Sequence, residues 1–163
     1  MSKRIVLGSL GFVITAFSLV WLFWPSDEER ILALFEELND IASKTEDASA
    51  LADAMVVKDF RELFAPEVTI SIRSKARIAG ERTNQELAQL YGRLRIASRR
   101  MGLRHEQMEI LSIENESASV GVKFFASWTG KGGNIVREDA HSEVQLEKVD
   151  GDWTIREIHY LKN

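Results

Sequence analysis

The sequence contains no cysteine, 2 prolines and 3 histidines among its 163 residues. Without cysteine there are no disulfide staples, no thiolate nucleophile, no cysteine-ligated metal and no lipidated-cysteine anchor. The histidines form no cluster at ligand spacing, so no metal is expected, and no cofactor either. A net charge of −4 is too small to argue for nucleic acid. No internal repeat, low-complexity tract or Pro/Gly/Ser-rich linker divides the chain.

Ile5 to Trp24 runs for 20 residues without a charge. That is the roughly 20 residues an α-helix needs to cross a bilayer, where only self-satisfied backbone is tolerated. Lys3 and Arg4 precede the run; Asp27, Glu28 and Glu29 come after it. The positive-inside bias leaves the N-terminus in the cytoplasm and exports the remainder of the chain. A cleaved signal peptide has a shorter apolar core, about 7–15 residues, and a small-x-small site. This run ends instead in Trp21, Phe23 and Trp24, suited to a membrane interface. The expectation is a short tail and single-pass anchor over residues 1–25, then one extracytoplasmic domain over 26–163, periplasmic if the source is bacterial.

Within that domain charge is segregated. Asp27 to Ile72 holds 12 acidic and 4 basic residues; Arg73 to Arg104 holds 9 basic and 2 acidic. Ser26-Asp27-Glu28-Glu29 reads as a capping box ahead of Ile31, Leu34, Phe35, Leu38 and Ile41 at helical spacing. A polar break at Lys44–Ser49 precedes a second helix, with Leu51, Met55, Phe60, Leu63 and Phe64 available to its apolar face and Pro66 as its stop. Val68, Ile70 and Ile72 alternate as a strand, and a short extended piece covers Arg77–Ala79. Thr83-Asn84-Gln85-Glu86 is a second capping box, opening a helix with Leu87, Leu90, Tyr91, Leu94, Ala97 and Met101 on one side. Its other side presents Arg93, Arg95, Arg99 and Arg100 as a basic patch. From Leu103 the period becomes two, giving strands at Leu103–Ile113, Ala118–Thr129, Ile135–Val149 and Trp153–Leu161. Asp150-Gly151 is a two-residue hairpin turn.

Helices followed by an antiparallel meander predict an α+β fold, three helices packed on a curved antiparallel sheet. Three stretches resemble the nuclear-transport-factor-2-like superfamily of cone-shaped domains. They are Leu63-Phe64-Ala65-Pro66-Glu67-Val68, Gly80-Glu81 before the capped helix, and the hairpin Val149-Asp150-Gly151-Asp152-Trp153-Thr154-Ile155. The resemblance covers the exported domain. It implies that ligands, where present, sit between helices and sheet, and that the opposite sheet face commonly dimerises. It carries no catalytic residue over to this chain.

Centring the three hairpins on Asn115/Glu116, Gly132 and Asp150/Gly151 predicts the strand pairs. These are Leu111–Val120, Glu109–Val122 and His105–Ala126; Trp128–Val136, Ala126–Glu138, Phe124–Ala140 and Val122–Ser142; Leu146–Ile155, Val144–Glu157 and Ser142–His159. The core face then carries His105, Gln107, Glu109, Trp128, Glu138, Ser142, Glu157 and His159 as a candidate pocket, where a histidine and a carboxylate suit acid–base work. A β-bulge would move members of this set to the other face. The outer face offers Phe125, His141, Ile158 and Tyr160 as a candidate interface.

Two functions are compatible with these features. One is a membrane-tethered, non-catalytic binding or assembly domain, a homodimer joining an envelope protein partner and no nucleic acid. The resemblance supplies a precedent in the single-pass assembly subunits of type IV secretion systems. The alternative is a small-ligand-binding protein or enzyme of the polyketide-cyclase or isomerase-like kind, using the cone.

Overall fold

The computed structural model describes residues 25–46, 49–71 and 79–161. The Ile5–Trp24 run, Ile72 and the extended piece at Arg77 and Ile78 lie outside them. Among the described residues no helix is long and apolar enough to cross a membrane.

The chain runs α1 (Asp27–Ala42), α2 (Ala50–Glu62), β1 (Phe64–Ser71), β2 (Gly80–Thr83), α3 (Asn84–Ala97), β3 (Ser98–Glu114), β4 (Ser117–Gly130), β5 (Ile135–Val149) and β6 (Asp152–Leu161). The six strands lie in the order β2-β1-β6-β5-β4-β3. Neighbours are antiparallel except β1 and β6, which run parallel, so the sheet is mixed rather than wholly antiparallel. A parallel pair needs a long crossover, and here everything from β2 to β5 supplies it.

Both capping boxes form. Ser26 and Glu29 exchange side-chain and backbone hydrogen bonds at the start of α1, and Thr83 and Glu86 do the same at α3. Ile31, Leu34, Phe35 and Leu38 of α1 enter one core with Val68, Val120, Val122, Val144, Leu146, Trp153 and Ile155. Each such side chain, fully buried, contributes about 1.5–3 kcal/mol. Asp150 and Gly151 turn with φ of 53° and 93°, the left-handed pair that a two-residue hairpin requires.

Three local expectations are corrected. Leu51 and Met55 face solvent, because α2 turns Asp53, Val57 and Phe60 toward α3 instead. The helix also ends at Glu62, and Pro66 lies within β1, in the irregular stretch between Phe64 and Thr69 where the ladder to β6 shifts register. On α3 the buried residues are Leu87, Ala88, Tyr91 and Arg95, whereas Leu90 and Leu94 are exposed. Gly92 explains part of this roll, since a Cβ there would stand 3.3 Å from Val57 Cγ2.

Candidate functional site

Three bulges in β3, at Leu111, Glu106 and Arg99, and one in β6 decide which side chains share a face. The β3–β4 ladder starts as expected from its turn, then skips between Ile110 and Ser112 and again between His105 and Gln107. The first bulge, at Leu111, flips the register by one residue. Met108 and Ile110 therefore take the core side opposite Val122 and Val120, and Gln107 and Glu109 move to the outer face beside Lys123 and Gly121. The second bulge, at Glu106, flips it back, so His105 remains on the core side opposite Phe124. In β6 a single bulge at Arg156 does the same without a second to cancel it. Leu146 meets Ile155 as predicted, but Val144 pairs with Ile158 and Ser142 with Tyr160. Glu157 and His159 pair with Gln145 and Glu143 on the outer face. The β4–β5 ladder has no bulge, and all four of its predicted pairs are present.

The candidate pocket is therefore split. His105 and Ser142 stay on the core side; Trp128 and Glu138 share that side at the strand ends, half-buried and exposed respectively. Gln107, Glu109, Glu157 and His159 do not join them. The candidate interface exchanges members too: Phe125 and His141 lie on the outer face, but Ile158 and Tyr160 turn inward, Ile158 against the core. The basic patch loses Arg95, which is 4% exposed. Arg93 remains on α3, and Arg99 and Arg100 belong to β3, which begins at Ser98 by pairing with Gly130.

A polar network ties the end of α1 to the start of α2 and the end of α3. Arg95 donates through Nε to Asp53 Oδ1 (2.9 Å) and through Nη1 to the carbonyls of Ser43 (2.8 Å) and Ile41 (3.1 Å) and to Tyr91 Oη (2.6 Å). Lys44 Nζ donates to Asp53 Oδ2 (3.0 Å) and to the Arg95 carbonyl (2.9 Å). Tyr91 stacks on Phe60 and donates to the Ile41 carbonyl. Burial pushes the Asp53 carboxyl up, but the hydrogen bonds and charges of Lys44 and Arg95 outweigh it and hold it below its ordinary value. Burial raises the Tyr91 hydroxyl, opposed by Arg95. This arrangement locks the ends of α1, α2 and α3 together.

Further along α1, Asn39 Nδ2 lies 2.7 Å from His105 Nδ1, and His105 Nε2 lies 3.7 Å from Glu36 Oε1. The imidazole packs edge-on to Phe35, and Asn39 Oδ1 is buried without a partner. Asn39 is not among the candidates drawn from the sequence, yet a signal for it exists: it sits four residues after Phe35 on the buried stripe of α1.

The outer face is open and charged. A cleft of about 1040 Å³ runs over β1, β2, β5 and β6, lined by Glu81, Glu143, Gln145, Glu147, Arg156, Glu157 and His159 among others. Glu143 Oε1 accepts from both Gln145 Nε2 (2.8 Å) and Ser119 Oγ (3.1 Å), while Glu157 Oε2 lies 2.9 Å from His159 Nε2. Smaller clefts near β3 and β4 are lined by Arg104, Phe125 and Arg137, and by Glu109, Lys123 and His141. Arg104 and Lys123 stand 4.9 and 4.8 Å from the Phe125 ring centre. Among the described residues no group of three or more acidic or histidine side chains could hold a metal ion.

Three helices over one face of a six-stranded sheet define a nuclear-transport-factor-2-like, or cystatin-like, domain. Solved structures share it at low identity. An uncharacterised cystatin-like protein from Caulobacter vibrioides matches with TM-score 0.58 at 12% identity, covering 83% of this chain and 89% of its own. Kfla4162 protein from Kribbella flavida gives 0.64 at 13%, covering 82% and 88%. A candidate calcium/calmodulin-dependent protein kinase II association domain from Xanthomonas campestris gives 0.59 at 18%, covering 83% and 87%. The sequence profile of the SnoaL-like domain matches residues 35–159, and the chain belongs to that family. No curated protein matches the sequence.

Proposed function

We propose that this SnoaL-like domain is a non-catalytic assembly module. Ile5–Trp24 tethers it to the extracytoplasmic side of a membrane, and it docks through the outer face of its sheet, with a second copy and with an envelope protein partner. The observation that carries this reading is the open, charged outer face, over which a cleft of about 1040 Å³ runs across β1, β2, β5 and β6. An association domain shares the fold, which is consistent with a cone that need hold no ligand. The test is the protein mass of the full chain in detergent, measured by light scattering. A dimer that becomes a monomer on Phe125→Glu is the expected result; a monomeric wild type overturns the reading. The tether is tested separately by alkaline carbonate washing of membranes, which should leave the chain in the pellet; recovery in the supernatant refutes it.

One observation favours a second reading, a small polar ligand or substrate at the cone. Asn39 Oδ1 is buried without a partner beside His105, and a ligand donor would satisfy it. Ligand-induced thermal shifts abolished by His105→Ala would support this reading, and shifts indifferent to it would end it.

A further inference from the structure

Charge divides along the length of the domain, and α1 measures that length. At one end its first turn is pinned to the β5–β6 hairpin. Arg30 Nη2 donates to the Gly151 carbonyl (2.6 Å) and to Asp152 Oδ1 (3.0 Å), and the Asp27 carboxylate accepts from Lys148 Nζ and Trp153 Nε1, both at 3.0 Å. The Lys148 amide donates to the Glu116 carbonyl (2.9 Å), which brings the β3–β4 turn to the same end. Asp27, Glu28, Glu29, Glu116, Asp150 and Asp152 outnumber Arg30 and Lys148 there. At the other end of α1, Lys44 exchanges two backbone hydrogen bonds with Met101 (2.8 and 3.1 Å), near the start of β3. The helix is 16 residues long, so at 1.5 Å per residue the two ends stand about 24 Å apart.

This second end is basic. No aspartate or glutamate occurs from Leu87 to His105 or from Ser117 to Arg137. The two stretches meet here, Ser98 pairing with Gly130 and Arg100 with Thr129. Arg99, Arg100 and Lys131 are exposed; Arg100 has Glu46 at 4.0 Å, a solvent-exposed and therefore weak pair. Farther along the strands acids accompany the cations: Glu106 pairs with Arg104 at 2.8 Å, and Glu138 and Asp139 follow Arg137. The excess of positive charge is thus confined to the end. Two isoleucines lie beside it. Ile135, paired with Thr129, is 62% exposed, and Ile96, two residues before Ser98, is 66% exposed. Cations complement carboxylates, and the isoleucines complement aliphatic side chains, which a bare polyanion lacks.

We infer that this end, formed by the β4–β5 hairpin and the start of β3, docks an acidic segment of the envelope protein partner. Its carboxylates meet Arg99, Arg100 and Lys131, and its aliphatic side chains meet Ile96 and Ile135. The inference rests on the assembly function proposed above and adds the place and the chemistry of the partner. The tether favours a protein here over a lipid surface. α1 begins at Asp27, directly after the Ile5–Trp24 run, with its first turn pinned. A bilayer holding that run lies at the acidic end, and the basic end points away from it.

The experiment is fluorescence anisotropy of the full chain, in non-ionic detergent, with a labelled synthetic peptide of alternating glutamate and leucine. Polyphosphate and a soluble short-chain phosphatidylglycerol are the competitors. Wild type should bind the peptide, and more weakly as salt rises. Arg99→Glu with Arg100→Glu and Lys131→Glu should bind it at least about tenfold more weakly. Ile135→Ser should also weaken it, but should leave binding of a glutamate–serine peptide unchanged. Arg61→Glu, at an exposed position on α2, should bind like wild type. Far-UV circular dichroism checks that each variant folds. If wild type does not bind the peptide, or the triple reversal binds it equally well, the docking end is overturned. If polyphosphate or the lipid binds more tightly than the peptide, the acidic protein segment is overturned as the partner. In both cases a dimeric wild type in light scattering leaves the assembly reading standing. A monomeric wild type overturns that reading and the inference with it.

Discussion

Replacing Asp53 by Asn should strongly destabilise the domain. Asp53 is the carboxylate that pairs with both Lys44 and Arg95, whose side chains are 9% and 5% exposed. Removing its charge leaves two neighbouring cations buried without compensation, which costs about 3–5 kcal/mol. For a domain of this size that corresponds to a fall in Tm of roughly 10–20 °C, at about 3–4 °C per kcal/mol. The assay is urea and thermal unfolding followed by circular dichroism. The pH dependence adds a second check. The folded carboxyl lies below its ordinary value, held there by Lys44 and Arg95 against the opposing effect of burial. Its contribution is therefore present above the unfolded value of about 3.9 and is lost as pH falls through the folded value. The gap between wild type and Asp53→Asn should be full at pH 7 and narrow as pH falls below about 4. A loss smaller than about 1 kcal/mol at pH 7, or a gap that does not change with pH, would show that the network does not brace the three helices.

Three further outcomes test the fold. Deleting Arg156 removes the bulge and leaves Ile155, Ile158 and Tyr160 on one face of a regular strand with Glu157 and His159 still on the other; the variant should keep its near-UV circular dichroism, and loss of the native spectrum would refute Arg156 as the inserted residue. Thr83→Ala removes the hydroxyl that accepts from the Glu86 amide and should cost about 1 kcal/mol in urea unfolding, with no loss counting against the cap. Leu51→Gln with Met55→Gln should change stability by less than about 0.5 kcal/mol in the same assay, because both side chains face solvent; a larger loss would place them in the core.

The elements were legible in the sequence because their signals are local. The S-x-x-E and T-x-x-E boxes start α1 and α3 at the residues they mark, and Asp150-Gly151 makes the turn its dipeptide requires. The β4–β5 register follows from its hairpin alone, since nothing interrupts that ladder. Arg95 was illegible for the opposite reason. Its place at i+4 from Tyr91 reads equally as buried or exposed, and partners far earlier in the chain, Asp53 and the carbonyls of Ile41 and Ser43, draw it inward.

The site was lost to the same arithmetic that preserved the ladders. A bulge is one extra residue, and side chains alternate with a period of two, so the number of bulges between a turn and a side chain fixes its face by parity. His105 lies beyond two bulges from the Asn115/Glu116 turn and keeps its predicted side; Glu109 lies beyond one and does not. Glu157 and His159 lie beyond one from the Asp150/Gly151 turn, and with them Ile158 and Tyr160 trade places. The hydrophobic pattern of β6 contains the correction. Ile155 and Ile158 are three apart, a spacing that no regular strand puts on one face and that one extra residue between them does. Reading Trp153, Ile155, Ile158 and Tyr160 as a single apolar row across a bulge assigns the acid–histidine pair to the outer surface from the sequence alone. It is that surface, and not the cone, on which the carboxylates of β5 and β6 gather opposite the cations of β3 and β4.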